Sequence, residues 1–328
     1  MKKILDRLFN GEKLSKVEAR ENLIKIGMGA VDHYQIAAFL SVFRMRSITG
    51  PEISGFRDAM MDLAYKVDLT DAPSIDIVGT GGDGKNTFNI STLACMVVAG
   101  AGYKVTKHGN IAVSSTSGSS DVLKYLGYQF SNEESKLKAD LEKANFCYLH
   151  APLFHPGMAN VAPIRKGLGV KTFFNILGPL ANPSSPTHQL AGVYSEALIP
   201  LYTEALEDAG IRHAVVYSED GYDEVSMTGK VKISGTDFHK IMEPEDFGSP
   251  AVGASTLFGG NSMEEAAKVF VSILKGEGSL EQETAVCANA GLAIHLLNPV
   301  KGLIDCVEEA RESLKSKRAF EKLQKLIQ

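Results

Sequence analysis

Between Ser74 and Ser218 the chain alternates short apolar runs with longer stretches of helical spacing. SIDIVG, GYKVT, FCYLHA, QLAGVY and HAVVYS are each too short for a helix and are set off by turn-forming residues. Parallel strands need long crossovers between them, usually helices, so this alternation specifies an α/β fold: a large domain with a mainly parallel central sheet flanked by helices. Before it, from Lys2 to about Lys66, the spacing is helical throughout: Ile4, Leu5, Leu8 and Phe9; Ala19, Leu23 and Ile26; Ile36, Ala37, Phe39, Leu40 and Phe43. Gly11, Gly27, Gly29, Gly50 and Pro51 separate these faces. A small all-α N-terminal domain is expected over residues 1–69, with the α/β domain over 70–328. Pro156 to Pro186, rich in proline, glycine and asparagine, has neither texture and is expected to be a long functional connection or a hinge returning to the helical unit. The C-terminal part then reads as helix, Gly/Asn-rich turn, helix.

The apolar fraction, 44% of 328 residues, is enough for a sizeable core. A net charge of −5 provides no global attraction for nucleic acid or anionic lipid, so both partner classes are disfavoured and any polyphosphate must be held locally. Cys95, Cys147, Cys287 and Cys306 are scattered, with no C-x-x-C, which fits reduced thiols and a cytoplasmic location. MKKILDRLFNGEKLS reads as an amphipathic helix, not an export signal, and no run approaches the roughly 18 apolar residues of a membrane span.

GTGGDGKN, Gly79 to Asn86, follows the first strand and fits several phosphate cradles. A dinucleotide site wants an acid about 20 residues on to bind a ribose hydroxyl. That place reads GYKVTKHGN, with Lys107 and His108 instead. A Walker loop wants Ser or Thr after its lysine for magnesium, and Asn86 stands there. TFNISTLACMVVAGAG continues as a helix whose first turn holds Asn89, Ser91 and Thr92. Unpaired N–H groups and the positive end of a helix dipole attract anions there, and glycines in front let backbone approach phosphate. The competing reading is a tight strand-to-helix turn with a Ser/Thr cap. A second Gly/Ser loop, SSTSGSSDVLKYLG, could close a polyphosphate pocket opposite Lys107, although such turns are common helix caps. Asp223 and Glu224 in GYDEVS could hold magnesium alongside substrate phosphates, or form a solvated acidic turn. His150 and His155 match zinc-ligand spacing poorly, and Cys95 reads as core.

Taken in order, GTGGDG, NIST, KHGN, SSTSGSSD, APIRKGLGVKTFFNILGPLANP and DEVS resemble the anthranilate phosphoribosyltransferases, in the nucleoside phosphorylase-like phosphoribosyltransferase family, nearly end to end. The resemblance implies transfer of a 5-phosphoribosyl group from phosphoribosyl pyrophosphate to the amine of anthranilate, a step of tryptophan biosynthesis. It implies that Gly79, Gly82, Asp83, Thr87, Asn89, Ile90, Ser91 and Thr92 bind phosphoribosyl pyrophosphate, completed by Lys107, Ser115 and Ser119. Ser91, Asp223 and Glu224 would bind one or two Mg2+ ions. Gly79, His108, Asn110, His155 and Arg165 would meet anthranilate, with Lys107 and His108 the catalytic pair. It also implies a homodimer through the helical domain, which part of about 156–184 would rejoin in space. Ile111, Ser120 and Gly167 depart from the usual arginine, alanine and longer polar residue of the family, which bears on the acceptor pocket and the helix beside it. A pyrimidine nucleoside phosphorylase lacks the NIST turn and DEVS pair in this arrangement. A catalytically silent nucleic-acid-binding relative would be basic, whereas this chain is acidic.

Overall fold

The computed structural model describes residues 1–112 and 116–328. Four helices form the N-terminal unit: α1 (Lys2–Phe9), α2 (Lys16–Gly27), α3 (His33–Met45) and α4 (Gly50–Leu63). Ser15 and Glu18 close a reciprocal capping box at the start of α2. A fully buried acid holds the unit together: Glu52 of α4 accepts from the backbone N–H groups of Leu14 and Thr49 and pairs with both Nη atoms of Arg46. Its core is apolar and aromatic, with Phe39, Phe43 and Phe56 meeting edge-to-face.

The α/β part begins with β1 (Ser74–Gly79), α5 (Ile90–Gly100), β2 (Lys104–Gly109), α6 (Ser119–Tyr125), α7 (Glu134–Ala144) and β3 (Phe146–His150). Three short helices follow, α8 (Ala151–Phe154), α9 (Ala162–Leu168) and α10 (Phe174–Leu177), then β4 (His188–Gly192), α11 (Ile199–Asp208) and β5 (Arg212–Ser218). The sheet closes with the hairpin β6 (Val231–Gly235) and β7 (Phe238–Met242). Its strand order is β3-β2-β1-β4-β5-β6-β7, parallel from β3 to β5 and antiparallel beyond. All five sequence-marked strands form. The hairpin escaped the sequence reading because β7 is an exposed edge with charge on it, lacking the apolar run of a buried strand.

The chain ends in four helices, α12 (Met263–Leu274), α13 (Leu280–Leu297), α14 (Leu303–Lys315) and α15 (Arg318–Ile327), two more than the sequence reading resolved. The extra breaks fall at Gly276 and at Lys317, both in left-handed backbone. α5 and α13 are buried almost all round and form the main core with the sheet. The proline- and glycine-rich segment packs on the helical unit: Phe173 stacks on Phe56 with centroids 4.4 Å apart, and Asn160 Nδ2 donates to Gly27 O at 2.8 Å.

β1 lies between β2 and β4, so the chain leaves β1 towards one side and returns on the other. In open parallel sheets ligands sit beyond the carboxyl ends of the strands at such a reversal. The end of β1 is Gly79, the first residue of GTGGDGKN.

Candidate active site

At the reversal, Gly79 and Gly192 sit side by side on β1 and β4, with the turn after β5 laid across them. A Cβ on Gly79 would stand 2.4 Å from Asp223 Oδ2, and one on Gly192 only 1.5 Å from Asp223 O. Glycine at both places is what lets that turn close. Gly81, Gly82 and Gly84 all take left-handed φ, which bends the loop back over the strand ends. Asp223 Oδ2 then accepts the Gly81 N–H at 2.6 Å, and the Asp83 carboxyl is close enough to act on Asp223. Glu224 Oε1 accepts the Ser91 N–H at 3.0 Å in the first turn of α5. Burial, then the neighbouring acids, raises the pKa of both carboxyls; for Asp223 the acid is Asp83 and for Glu224 it is chiefly Asp223. Asp223 is buried and Glu224 half-buried beside the glycine loop, so the turn is not a freely solvated one.

The rest of the loop is pinned from two sides. Thr87 bridges Phe258, while Phe88 N–H donates to Leu257 O at 3.0 Å. Asn89 Nδ2 donates to Ser117 O at 3.2 Å and Asn89 Oδ1 accepts Ser117 Oγ at 3.1 Å, which docks the second Gly/Ser loop on the first. Ile90 and Thr92 are buried, so what they can offer a ligand is backbone. Ser119 Oγ shares a 2.6 Å hydrogen bond with Tyr148 Oη. Ser115 lies outside the described residues. The two helix starts use their donors differently from a pair of open anion sites: Ser91 N–H meets Glu224, and Gly118 N–H before α6 meets Asp121 Oδ2 at 2.9 Å.

Lys107 is 2% exposed and its Nζ donates to Ile77 O at 2.5 Å. Its charge acts on Glu224 and on Asp76, a fully buried acid in the middle of β1 that the sequence reading passed over. Asp76 Oδ2 accepts Asn182 Nδ2 at 2.8 Å and Oδ1 the His108 N–H at 3.4 Å. Burial raises its pKa to about 6, against the pull of Lys107 and Asn182.

His108 and His155 meet edge-to-face at 5.2 Å, where β2 faces the segment below the helical unit. Burial lowers both, His108 well below the usual imidazole value, with His155 adding to the effect, and His155 to about 4. Both rings are neutral at pH 7. His155 Nε2 donates to Ala181 O at 3.0 Å, while His108 Nε2 is buried without a partner among the described residues. Arg165 on α9 is half-buried, and burial alone lowers its pKa. Its Nη2 donates to Asn175 Oδ1 at 3.3 Å and its guanidinium carbon lies 5.3 Å from the Phe174 ring. Asn110 is exposed, its Oδ1 accepting the Ile111 N–H. Lys171, also unmarked by the sequence, donates from Nζ to Gly82 O at 3.0 Å and lies over the Tyr194 ring.

Among the described residues no group of three or more His, Cys, Asp or Glu side chains could hold a metal ion, so a cation here would need further oxygen ligands, such as water or substrate phosphates. A groove of about 600 Å³ between α11 and the β6–β7 hairpin, lined by Thr203, Glu204, Lys232, Ser234 and His239, contains none of these residues. The site is marked by converging polar groups and not by cavity size.

Two family models cover the chain: a glycosyl transferase family helical bundle domain matches residues 2–64, and a glycosyl transferase family a/b domain residues 71–320. The chain is 49% identical over 327 residues to the anthranilate phosphoribosyltransferase of Cytophaga hutchinsonii, covering 100% of both. It is 47% identical over 328 residues to that of Bacteroides fragilis, covering 100% of this chain and 99% of the relative. Among solved structures, anthranilate phosphoribosyltransferase from Thermus thermophilus superposes with a TM-score of 0.93 at 35% identity, covering 98% of each chain. The enzyme from Saccharomyces cerevisiae in complex with PRPP and Mg superposes with a TM-score of 0.91 at 30% identity, covering 98% of this chain and 95% of that one.

Proposed function

The chain belongs to the glycosyl transferase family, and from that premise we propose that it transfers the 5-phosphoribosyl group of phosphoribosyl pyrophosphate to the amine of anthranilate. The products are N-(5-phosphoribosyl)anthranilate and pyrophosphate, and the step belongs to tryptophan biosynthesis. The observation that carries this reading is the Asp223–Glu224 pair, one acid buried and the other half-buried against the glycine loop and the start of α5, with ionisation disfavoured. Such carboxylates fit a divalent cation and its anionic partner. Asp223, Glu224 and the Ser91 hydroxyl would hold one or two Mg2+ ions, which supply charge neutralisation to the departing diphosphate.

The chain's own residues do the rest. Gly79, Gly82 and Asp83 present backbone and carboxylate at the strand ends, and Thr87, Asn89, Ile90 and Thr92 shape the turn that receives the phosphates. Ser119 borders it from the second loop, and Ser115 is assigned by resemblance alone. Lys107 contributes a buried positive charge that acts on both Asp76 and Glu224 and would offset negative charge where the leaving group develops it. Arg165, with no acid among the described residues acting on it, offers a planar fork to the acceptor's carboxylate. Neutral His108 and His155 line the acceptor's route beside Asn110 and the Gly79 backbone. An arylamine already carries a free lone pair, so His108 orients the nucleophile and need not deprotonate it.

Residues 1–69, joined by part of about 156–184, form the helical domain in this reading, and 70–328 the α/β domain. The helical unit is also proposed to pair two subunits, since Phe9, Met28, Tyr34 and Met45 are each more than half exposed on it. A cytoplasmic location is supported by four free, buried cysteines. The test is loss of anthranilate fluorescence on mixing purified protein with anthranilate, phosphoribosyl pyrophosphate and Mg2+. Loss that EDTA abolishes is the expected result. No turnover, or turnover only with phosphate and a pyrimidine nucleoside, overturns the reading.

A further inference from the structure

Arg165 is held in an unusual way for a half-buried cation. Its one hydrogen bond to another side chain among the described residues goes to a neutral amide, Asn175 Oδ1, and Phe174 covers a face of the guanidinium. The same Asn175 oxygen accepts the Thr172 N–H at 2.9 Å, so the amide ties the arginine to the backbone entering α10. That backbone is itself anchored, since Phe173 stacks between Phe56 and Phe174. No charged group among the described residues shifts Arg165: burial is the cause of its lowered pKa. A guanidinium has five N–H donors in a rigid fork, and one amide oxygen leaves a bidentate edge free.

We propose that Asn175 is a positioning residue for the acceptor: its neutral oxygen orients Arg165 without neutralising it, so that the guanidinium meets the acceptor's carboxylate as an unpaired charge. The proposal rests on the reading that Arg165 takes that carboxylate. Aspartate at 175 has nearly the same shape and would still accept the Thr172 N–H. It would also place an anion beside Arg165 and compete with the acceptor. A merely structural Asn175, one that only caps the entry to α10, would tolerate that change. The two roles therefore predict opposite outcomes for one substitution.

The experiment compares full-length wild type with Asn175→Asp, Asn175→Ala, Arg165→Ala and the Arg165→Ala/Asn175→Asp double variant. It reads KM for anthranilate, KM for phosphoribosyl pyrophosphate, kcat and the melting midpoint. Asn175→Asp is expected to raise the anthranilate KM by about tenfold or more, as a lost charge-assisted carboxylate contact would. The other KM should stay within about twofold and the melting midpoint should not fall. In the Arg165→Ala background the aspartate should change nothing further, because its effect runs through the arginine. A wild-type anthranilate KM in Asn175→Asp, or an equal rise in both KM values, overturns the proposal. If Arg165→Ala itself spares the anthranilate KM, the acceptor assignment falls first, and the two failures are thereby distinguished.

Discussion

Asp76 and Asn175 show what single residues hide. An aspartate inside the run SIDIVG was the available signal for a buried polar centre, since an acid in a strand buried on both faces must find partners. Its partner Asn182 lies 106 positions away, which no local pattern reveals. Gly79 could be read because close backbone approach demands glycine, whereas the residues of the Asp223–Glu224 turn left a cation site and a solvated turn both open, since carboxylates serve either. At this scale the histidines make a pH prediction. An imidazole held neutral by burial takes up no proton as pH falls through the unfolded value near 6.5, while the unfolded chain does, so stability drops between that value and about pH 4. For His155 the loss approaches roughly 3 kcal/mol. Urea midpoints measured from pH 7.5 to 5 should decline less steeply in His155→Phe than in wild type; identical slopes would show that His155 titrates normally in the folded protein.

Among elements, the five parallel strands were legible because each is a short run bounded by turns, whereas the β6–β7 edge and the divided C-terminal helices were set by exposure and by left-handed breaks. Glu52 makes the clearest prediction for α4. Burial pushes its carboxyl up, but Arg46 and the Leu14 and Thr49 N–H groups outweigh that and leave it lowered. Its stabilisation is present above the unfolded glutamate pKa and is lost as pH falls through the lower, folded one. Glu52→Ala strips Arg46 of its partner and should cost about 3–5 kcal/mol in chemical unfolding; a loss under about 1 kcal/mol would mean the pair is worth no more than an exposed one. Lys171 is the only described link by which its segment reaches the Gly82 carbonyl. Lys171→Met should raise the KM for phosphoribosyl pyrophosphate by about five- to tenfold, the value of one charge-assisted hydrogen bond near the surface, and leave the melting midpoint within about 2 °C.

At the scale of the whole molecule, strand order explains why motifs scattered from Gly79 to Glu224 come together. Reversal of the chain beside β1 opens the sheet's carboxyl edge, the glycine loop fills it, and the turn after β5 brings two acids across. The long segment after β3 packs on the helical unit and carries Arg165 on α9 and His155, whose ring meets that of His108 on β2. Under the proposed function the two acids would hold a cation and the diphosphate, and Arg165 would take the acceptor's carboxylate. Calorimetric titration of the protein with phosphoribosyl pyrophosphate, with and without Mg2+, in wild type and Glu224→Gln, tests this most directly. Binding should tighten by at least about tenfold with Mg2+ in wild type, and that gain should vanish in the variant. Equal affinity with and without the ion, or a gain that survives Glu224→Gln, would contradict a cation held by this pair.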